Sequence, residues 1–366
     1  MQRGLVLVSG AGGFLGSHMV EVLREEGYEV RATDLPGTDS GPALAAGAQW
    51  VEADLLDMEA LRRLMEGVRG VVNAAGLFEF GIPWESLYAA NVQVTENICM
   101  VAQEAGVDKF VHISSAAVYG SPDQLPVCES APRDPVSDYE KTKLLSEEQV
   151  WRHQRFKGLP AAVLRPAFIY GPRGREMLAT IMALYALGRS RRYPWLKALK
   201  GGSLCHHVHV RDVCRAALLL LRKAETIGEA YNVGDSTPIR WGELTQYVAE
   251  LARYKGESLP LYGPLGRLTA LVGSWMPSSK LVSVNKTLRE DWQQLLERES
   301  IETPLLPKLE RGLLNYMGED RVCDTSTIQA LGFVPNHPVT LNGLRDTFDW
   351  YMSQGWLPGT ADLSQD

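Results

Sequence analysis

The chain has 366 residues, 45 % of them hydrophobic and 22 % charged, a length and balance that suit one large globular domain with a smaller lobe built onto it. A formal net charge of −7 argues against a nucleic-acid surface, which needs clustered Lys and Arg. The five cysteines make no C-x-x-C pair, and their odd count and wide spacing fit free thiols in a reducing compartment.

Gly4 to Ser9 is a short apolar run ending in glycines, the pattern of a buried parallel strand. No charged and apolar leader is visible ahead of it and no run of 18 apolar residues follows, so neither a secretion signal nor a transmembrane segment is expected, and the expected location is cytoplasmic. Gly10-Ala11-Gly12-Gly13-Phe14-Leu15-Gly16 then opens a helix running to Glu26. Glycines there allow a tight turn and a close backbone approach to a pyrophosphate, and a helix N-terminus offers N–H groups and partial positive charge. Gly10, Gly13, Phe14, Leu15 and Gly16 are therefore candidate cofactor-binding residues.

Tyr28 to Thr33 reads as the second strand, and Asp34 at its end stands 18 residues past Gly16. A carboxylate there accepts hydrogen bonds from both adenosine ribose hydroxyls and repels a 2′-phosphate. Leu35 and Pro36 follow it, so NAD is expected rather than NADP, with Arg31 the one cation placed to swing toward a phosphate. Gln49 to Glu52 is the third strand, with Asp54 and Leu55 behind it to hold the adenine edge; Asp54 equally suits a cap for the helix from Met58 to Glu66. Gly70 to Asn73 is the fourth strand, and the small residues Ala74, Ala75 and Gly76 let a cofactor lie against the sheet edge.

Phe78, Phe80 and Trp84 come next, an apolar wall for a substrate or aromatic filling for the core. A long helix is expected from about Glu85 to Glu104, and a fifth strand from Lys109 to Ser114 closing on Ser115. Tyr139-x-x-x-Lys143 opens a helix to about His153, and a spacing of four puts both side chains on one face. The ammonium would lower the phenol from about 10 toward neutrality, making it a proton acceptor for a substrate hydroxyl. Ala161 to Arg165 is the sixth strand. The alternation defines an α/β fold, a doubly wound parallel sheet of the dinucleotide-binding kind.

After Pro166 the alternation breaks down. A helix is expected from Met177 to Gly188, short strands at His207 to Val210 and Ala230 to Val233, a helix between them from Asp212 to Lys223, and a helix-rich, proline-broken stretch from Leu259 to Tyr316. The expected division is a dinucleotide-binding domain at 1–170 plus 206–233, a smaller, mostly helical substrate lobe at 171–205 plus 234–338, and a closing helix and tail at 339–366. Met177 is a candidate substrate residue; its helix and the stretch 264–276 suit an apolar pocket, a peripheral membrane contact or the core. Cys205, His206, His207 and His209 carry metal-ligand chemistry, but the segment reads as a loop entering a strand, and no metal is expected. Arg189, Arg191 and Arg192 read as a solvated helix end.

Together these pieces resemble the extended short-chain dehydrogenases, the family that includes nucleotide-sugar epimerases and 3β-hydroxysteroid dehydrogenases. The match adds Asn91-Val92 with Thr95, His112 through Gly120, Leu164-Arg165-Pro166, Ile169-Tyr170-Gly171-Pro172, Val208-His209-Val210 with Asp212-Val213, and Asn232-Val233-Gly234, all in family order over residues 4 to 235. The resemblance implies Tyr139 as general acid or base, Lys143 as its partner and a bond to the nicotinamide ribose, and Ser115 as the catalytic hydroxyl. It implies Ser114 beside Ser115 at the cofactor, and Pro166 and Ile169 against the nicotinamide. Ser9 stands where a Thr is usual and keeps the hydroxyl. Ala116-Ala117 stand where sugar dehydratases carry Asp-Glu, which sets dehydration aside. The aromatic stretch after Gly76 is similar to the 3β-hydroxysteroid dehydrogenase-like branch. The implied function is NAD-dependent oxidation or reduction of a secondary alcohol or ketone on an apolar, sterol- or terpenoid-like small molecule. The alternative is a nucleotide-sugar epimerase with tightly held NAD, its diphosphate met by Arg211 or the Arg189–Arg192 group. A non-catalytic dinucleotide sensor sits poorly with an intact Ser115, Tyr139 and Lys143. A homodimer through the helices near 85–104 and 139–153 is implied as well.

Overall fold

The computed structural model describes residues 4–78, 81–191, 193, 196–261 and 278–359; Phe80, Arg192 and the stretch 264–276 named above lie outside the described residues. The chain divides into two compact units, Met1–Ile169 with Val210–Gly234 and Cys323–Asn336, and Tyr170–His209 with Asp235–Val322 and His337–Asp366.

The first unit is built on seven strands: β1 (Leu5–Ser9), β2 (Glu29–Asp34), β3 (Gln49–Glu52), β4 (Val68–Asn73), β5 (Lys109–Ile113), β6 (Ala161–Pro166) and β7 (Ala230–Val233). Their order is β7-β6-β5-β4-β1-β2-β3 and every pairing is parallel. Helices cover both faces of such a sheet, so its central strands are continuous apolar runs; Val6, Leu7 and Val8 are all buried. The order reverses between β1 and β4, which opens a crevice outside their carboxyl ends.

The helices of this unit are α1 (Phe14–Glu25), α2 (Gly41–Ala45), α3 (Met58–Met65), α4 (Trp84–Tyr88), α5 (Val94–Ala105), α6 (Asp138–Lys157), α7 (Val210–Arg222) and α8 (Ser326–Ala330). The helix expected over 85–104 runs unbroken from Trp84 to Ala105, α4 and α5 being joined through a π-helical turn at Ala89–Gln93. Such widened turns are rare and gather at functional sites. α6 starts at Ser137, whose hydroxyl accepts from the Glu140 N–H while the Glu140 carboxylate accepts from the Ser137 N–H, a complete capping box. Cys323–Asn336, expected in the lobe, belongs to the first unit: Cys323 bridges to Val127, and the Asp324 carbonyl accepts from Asn232 on β7 at 3.2 Å.

In the second unit the helix Leu178–Ser190 is buried at every position from Leu178 to Gly188, the fate of a helix that is apolar all round. It packs against the helices Trp241–Leu251 and Ser278–Glu299. Short strand pairs, Ala198–Gly201 with Ser258–Leu261 and Leu204–Cys205 with Ile239–Arg240, complete it. The closing helix Thr340–Ser353 belongs to this unit and anchors Tyr351, whose hydroxyl donates to the Gly174 carbonyl at 2.8 Å and whose ring stacks on Trp356. Among the described residues, no helix is long and apolar enough to cross a membrane.

Candidate active site

The loop after β1 is shaped by what cannot fit in it. Gly10 has φ 68°, and a Cβ there would stand 2.8 Å from the Ala74 carbonyl oxygen at the end of β4. A Cβ on Gly16 would meet the Gly10 oxygen at 2.0 Å. No side chain caps α1 at Gly13, so the first turn presents backbone N–H groups at the β1–β4 crevice. Asp34 closes the cradle: its carboxylate accepts from the Gly12 N–H at 3.0 Å and the Leu35 N–H at 2.8 Å. Arg31 is tied down elsewhere, donating to Gln49 at 3.0 Å and to the carbonyls of Leu64 and Glu66 at 2.6 and 2.8 Å. With no cation at 35–41, the carboxylate keeps its full repulsion for a 2′-phosphate.

Ala74, Ala75 and Gly76 continue the rim; a Cβ on Gly76 would press on the Asn91 carboxamide oxygen at 2.8 Å. Asp54 is exposed and accepts from the Leu56 N–H at 2.9 Å, while the helix-capping role falls to Asp57, which accepts from Glu59 and Ala60. Leu55 turns its side chain into the core beside Val94 and Ile98. Pro166 ends β6, buried, and Ile169 follows it half-buried.

Tyr139 and Lys143 share the face of α6 turned toward β5. The Lys143 ammonium donates to the Ile113 carbonyl at 2.7 Å, and burial lowers it to about 8. Tyr139 departs from expectation. Burial pushes its phenol up to about 12, a hydrogen bond with Ser115 pulls it back only in part, and Glu140 adds to the rise. The rise comes from burial and Glu140, while the Lys143 ammonium donates to β5. Ser115 also accepts from the Ala117 N–H at 3.1 Å, and the hydroxyl of buried Ser114 finds no partner among the described residues. An orphaned hydroxyl, a glycine cradle and an uncapped helix end along one sheet edge fit a dinucleotide: Gly10–Gly16 at its pyrophosphate, Asp34 at its ribose, Ser114 and Lys143 toward its other end.

Phe78 sets its ring edge against Tyr139, with centroids 4.8 Å apart at 73°. Trp84 is half-buried and lies against Tyr88. Met177 is in the second unit, buried, with φ 54° at the residue before its helix. Cys205, His206, His207 and His209 are buried there too; His206 donates from Nε2 to the Asp235 carbonyl at 2.7 Å, and burial lowers His207 to about 3. Arg211, the candidate cation for a diphosphate under the epimerase alternative, stands on α7 of the first unit and pairs with Glu25 at 2.5 Å.

The scaffold behind the site was only partly legible: the family match took in Asn91, Thr95, His112 and Arg165 without giving them a role, and Ser146 and Glu147 were not singled out. Asn91 grips the Leu77 backbone at both ends, accepting from its N–H at 2.7 Å and donating to its carbonyl at 3.2 Å, and donates to Thr142 on α6 at 2.9 Å. Glu147, one turn past Lys143, takes Arg165 of β6 bidentately at 2.9 and 2.7 Å. The available signal was polarity at core positions: Asn73 closing an apolar strand, His112 inside another, and Ser146 and Glu147 on the buried face of α6.

With that geometry in place, the chain belongs to the NAD dependent epimerase/dehydratase family, whose profile matches residues 6–234, and it is an NAD-dependent enzyme of the extended short-chain dehydrogenase type. It is 28 % identical over 264 residues to a putative UDP-glucose 4-epimerase of Methanocaldococcus jannaschii, spanning 70 % of this chain and 85 % of that protein. It is 30 % identical over 253 residues to a 4-hydroxy-2-methyl-3-oxo-4-farnesyl-3,4-dihydroquinoline-1-oxide ketoreductase of Stigmatella aurantiaca, at 68 % and 72 % coverage. A 3 beta-hydroxysteroid dehydrogenase/Delta 5-->4-isomerase of Mycobacterium tuberculosis is 26 % identical over 326 residues, 84 % of this chain and 80 % of that one. Among solved structures, that of gox2253 superposes with a TM-score of 0.74 at 26 % identity, covering 97 % of this chain and 99 % of the other.

Proposed function

We propose that this enzyme exchanges a hydride between NAD and a secondary alcohol or ketone on an apolar, sterol- or terpenoid-like substrate. The observation that carries this reading is the Phe78 ring lying edge-on to Tyr139 at 4.8 Å, apolar surface set directly beside the phenol. A sugar diphosphate needs cations at its phosphates. Arg189 donates to the Gly359 carbonyl, Arg191 pairs with Asp291, and Arg211 pairs with Glu25, so these three are already engaged. The ketoreductase relative is named for a ketone that carries a farnesyl chain, and the dehydrogenase relative for a hydroxysteroid. The epimerase relatives, at 28 to 29 % identity, stand level with these two, at 30 and 26 %, and the epimerase reading is the alternative to be tested.

Bound NAD supplies the hydride acceptor or donor. In reduction, the Tyr139 hydroxyl gives its proton to the carbonyl oxygen; in oxidation, the phenolate takes the proton of the alcohol. A phenol pushed up to about 12 is protonated at neutral pH, the form that serves reduction. Ser115, bonded to the phenol, is placed to hold the reacting oxygen as its charge changes. Lys143, four residues on along α6, brings a positive charge that favours phenolate. The test is steady-state kinetics with 3β-hydroxysteroids and hydrophobic ketones, beside an epimerase assay with UDP- and GDP-sugars. Turnover of the apolar compounds, weakened by Phe78→Ser and Trp84→Ser, supports the reading. Interconversion of a UDP-sugar without net NADH formation overturns it.

A further inference from the structure

β5 reads Lys109-Phe110-Val111-His112-Ile113, and His112 is wholly buried in it. A histidine in the middle of a parallel sheet needs a partner on each ring nitrogen, or it costs more than the apolar residue it displaces. The partners form a chain with one direction. The Ser9 hydroxyl donates to Asn73 Oδ1 at 2.7 Å, which orients the Asn73 carboxamide. Asn73 Nδ2 then donates to His112 Nδ1 and to Thr95 Oγ1, each at 3.2 Å. With Nδ1 accepting, the ring proton lies on Nε2, which donates to Ser146 Oγ at 3.0 Å. Ser146 donates in turn to the Lys143 carbonyl at 2.7 Å.

The other branch leaves Asn73 through Thr95, whose hydroxyl donates to the Asn91 carbonyl at 2.7 Å. Asn91 donates to Thr142, and Thr142 to the Tyr139 carbonyl at 2.9 Å. Two branches that part at Asn73, between the glycine loop and the reaction end, thus finish on the backbone carbonyls of Tyr139 and Lys143. β5 grips α6 twice from adjacent residues, by the His112 ring through Ser146 and by the Ile113 carbonyl on the Lys143 ammonium.

We propose that neutral His112, as its Nε2–H tautomer, is a positioning residue that sets Lys143 in register with the cofactor-bearing strands β1 and β4. The proposal rests on the reading of Lys143 as an NAD-binding residue. A protonated ring has two donors and would turn an N–H onto Asn73 Nδ2; burial and the Lys143 charge both hold the ring neutral. Phe or Leu at this position would leave the Asn73 amide and the Ser146 hydroxyl each short of a partner.

The test combines histidine-ring ¹⁵N spectra with NAD titration by calorimetry. The expected spectrum shows one protonated and one bare nitrogen on His112, of the Nε2–H form, unchanged between about pH 5 and pH 8, with the resonances assigned by their loss in His112→Gln. His112→Phe should weaken NAD about tenfold, and His112→Gln, whose amide restores a donor toward Ser146, should recover to within about threefold. Ser146→Ala, a one-atom change, should weaken NAD about threefold and decides the matter if His112→Phe does not fold. An Nδ1–H or imidazolium spectrum overturns the proposal, as does wild-type NAD affinity in His112→Phe with only the melting temperature lowered, or in Ser146→Ala. Lys143→Ala binding NAD normally would instead fault the reading of Lys143.

Discussion

At the carboxyl edge of the sheet, the loop after β1 is almost all backbone, whereas the surface beyond β5 is made of side chains held from behind. In the first, glycines leave room and the Gly12 N–H ties the turn to Asp34. In the second, a hydrogen-bond network through Asn73, Asn91, His112 and Ser146 runs behind Tyr139 and Lys143, with Glu147 one turn further along α6, and none of these five lies on the loops of that edge. Backbone recognition needs only that atoms be missing. Side-chain chemistry needs each rotamer fixed, and fixing charged and polar groups indoors demands a partner for every donor. The two ends should therefore fail differently: the first by steric intrusion, the second by loss of support at a distance.

The largest effect is expected from the support. Glu147 and Arg165 are a buried, bidentate pair, and removing one partner strands the other charge. Glu147→Ala should cost about 3–5 kcal/mol of folding stability, read by urea unfolding. A loss under about 1 kcal/mol would mean the pair is a surface-like contact and α6 is anchored otherwise.

At the glycine end, Gly16→Ala drives a Cβ to 2.0 Å from the Gly10 oxygen, a backbone atom with nowhere to go. NAD affinity should fall at least about a hundredfold, or about 2.7 kcal/mol. Gly13→Ala meets only the same oxygen at 3.2 Å and should lose far less. Equal losses would show that the loop moves as a whole and that steric fit is not its principle. Tyr139→Phe should lower turnover by about a hundredfold while NAD affinity holds, since the ring and the helix remain. A near-normal rate would remove Tyr139 from the chemistry.

The same contrast decides what was legible in the sequence. Gly10–Gly16, Asp34 and the Tyr139–Lys143 spacing are local, and local patterns survive being read in a line. So do the seven strands, whose apolar runs sit between glycines and polar helix faces. Asn73, His112 and Ser146 meet across separations of 39 and 34 residues, and a lone His in an apolar strand reads as core. The π turn at Ala89–Gln93 has no composition of its own, so the helix was legible and its widened turn was not. Tyr139 showed the limit of pairing rules: spacing put a cation on its face, but burial, which spacing does not show, pushes the phenol up. In the second unit, the helix Leu178–Ser190 was legible as apolar, while Trp241–Leu251 and the two-stranded ribbons, too short to show a period, were not.

A smaller effect sharpens the cofactor end. With Arg31 held by Leu64 and Glu66, we propose that Asp34 discriminates the ribose substituent. NAD should bind about tenfold tighter than NADP, about 1.4 kcal/mol, and Asp34→Ala should shrink the gap. Equal wild-type affinities would mean that Asp34 spends its acceptors on the loop and not on the ribose.

The smallest effect belongs to Lys143 and is a matter of sign. Burial lowers it to about 8, so the ammonium that donates hydrogen bonds is present below that value and fades above it. NAD affinity should fall about threefold as pH rises from 7 to 9, because one charge-assisted hydrogen bond is withdrawn. Folding stability should move the other way. The folded pKa lies below the unfolded value of about 10.4, so between about 8 and 10 the unfolded chain binds more protons and stability from this group rises with pH. Lys109 is also lowered to about 8 but donates to Lys223 and Thr226, at the other end of β5. It adds to the stability change and leaves NAD binding alone, so Lys109→Met should keep the affinity slope and lose part of the stability slope. Lys143→Arg, charged throughout, should flatten the affinity slope. An affinity slope that persists in Lys143→Arg would place the titrating group elsewhere on the reaction end.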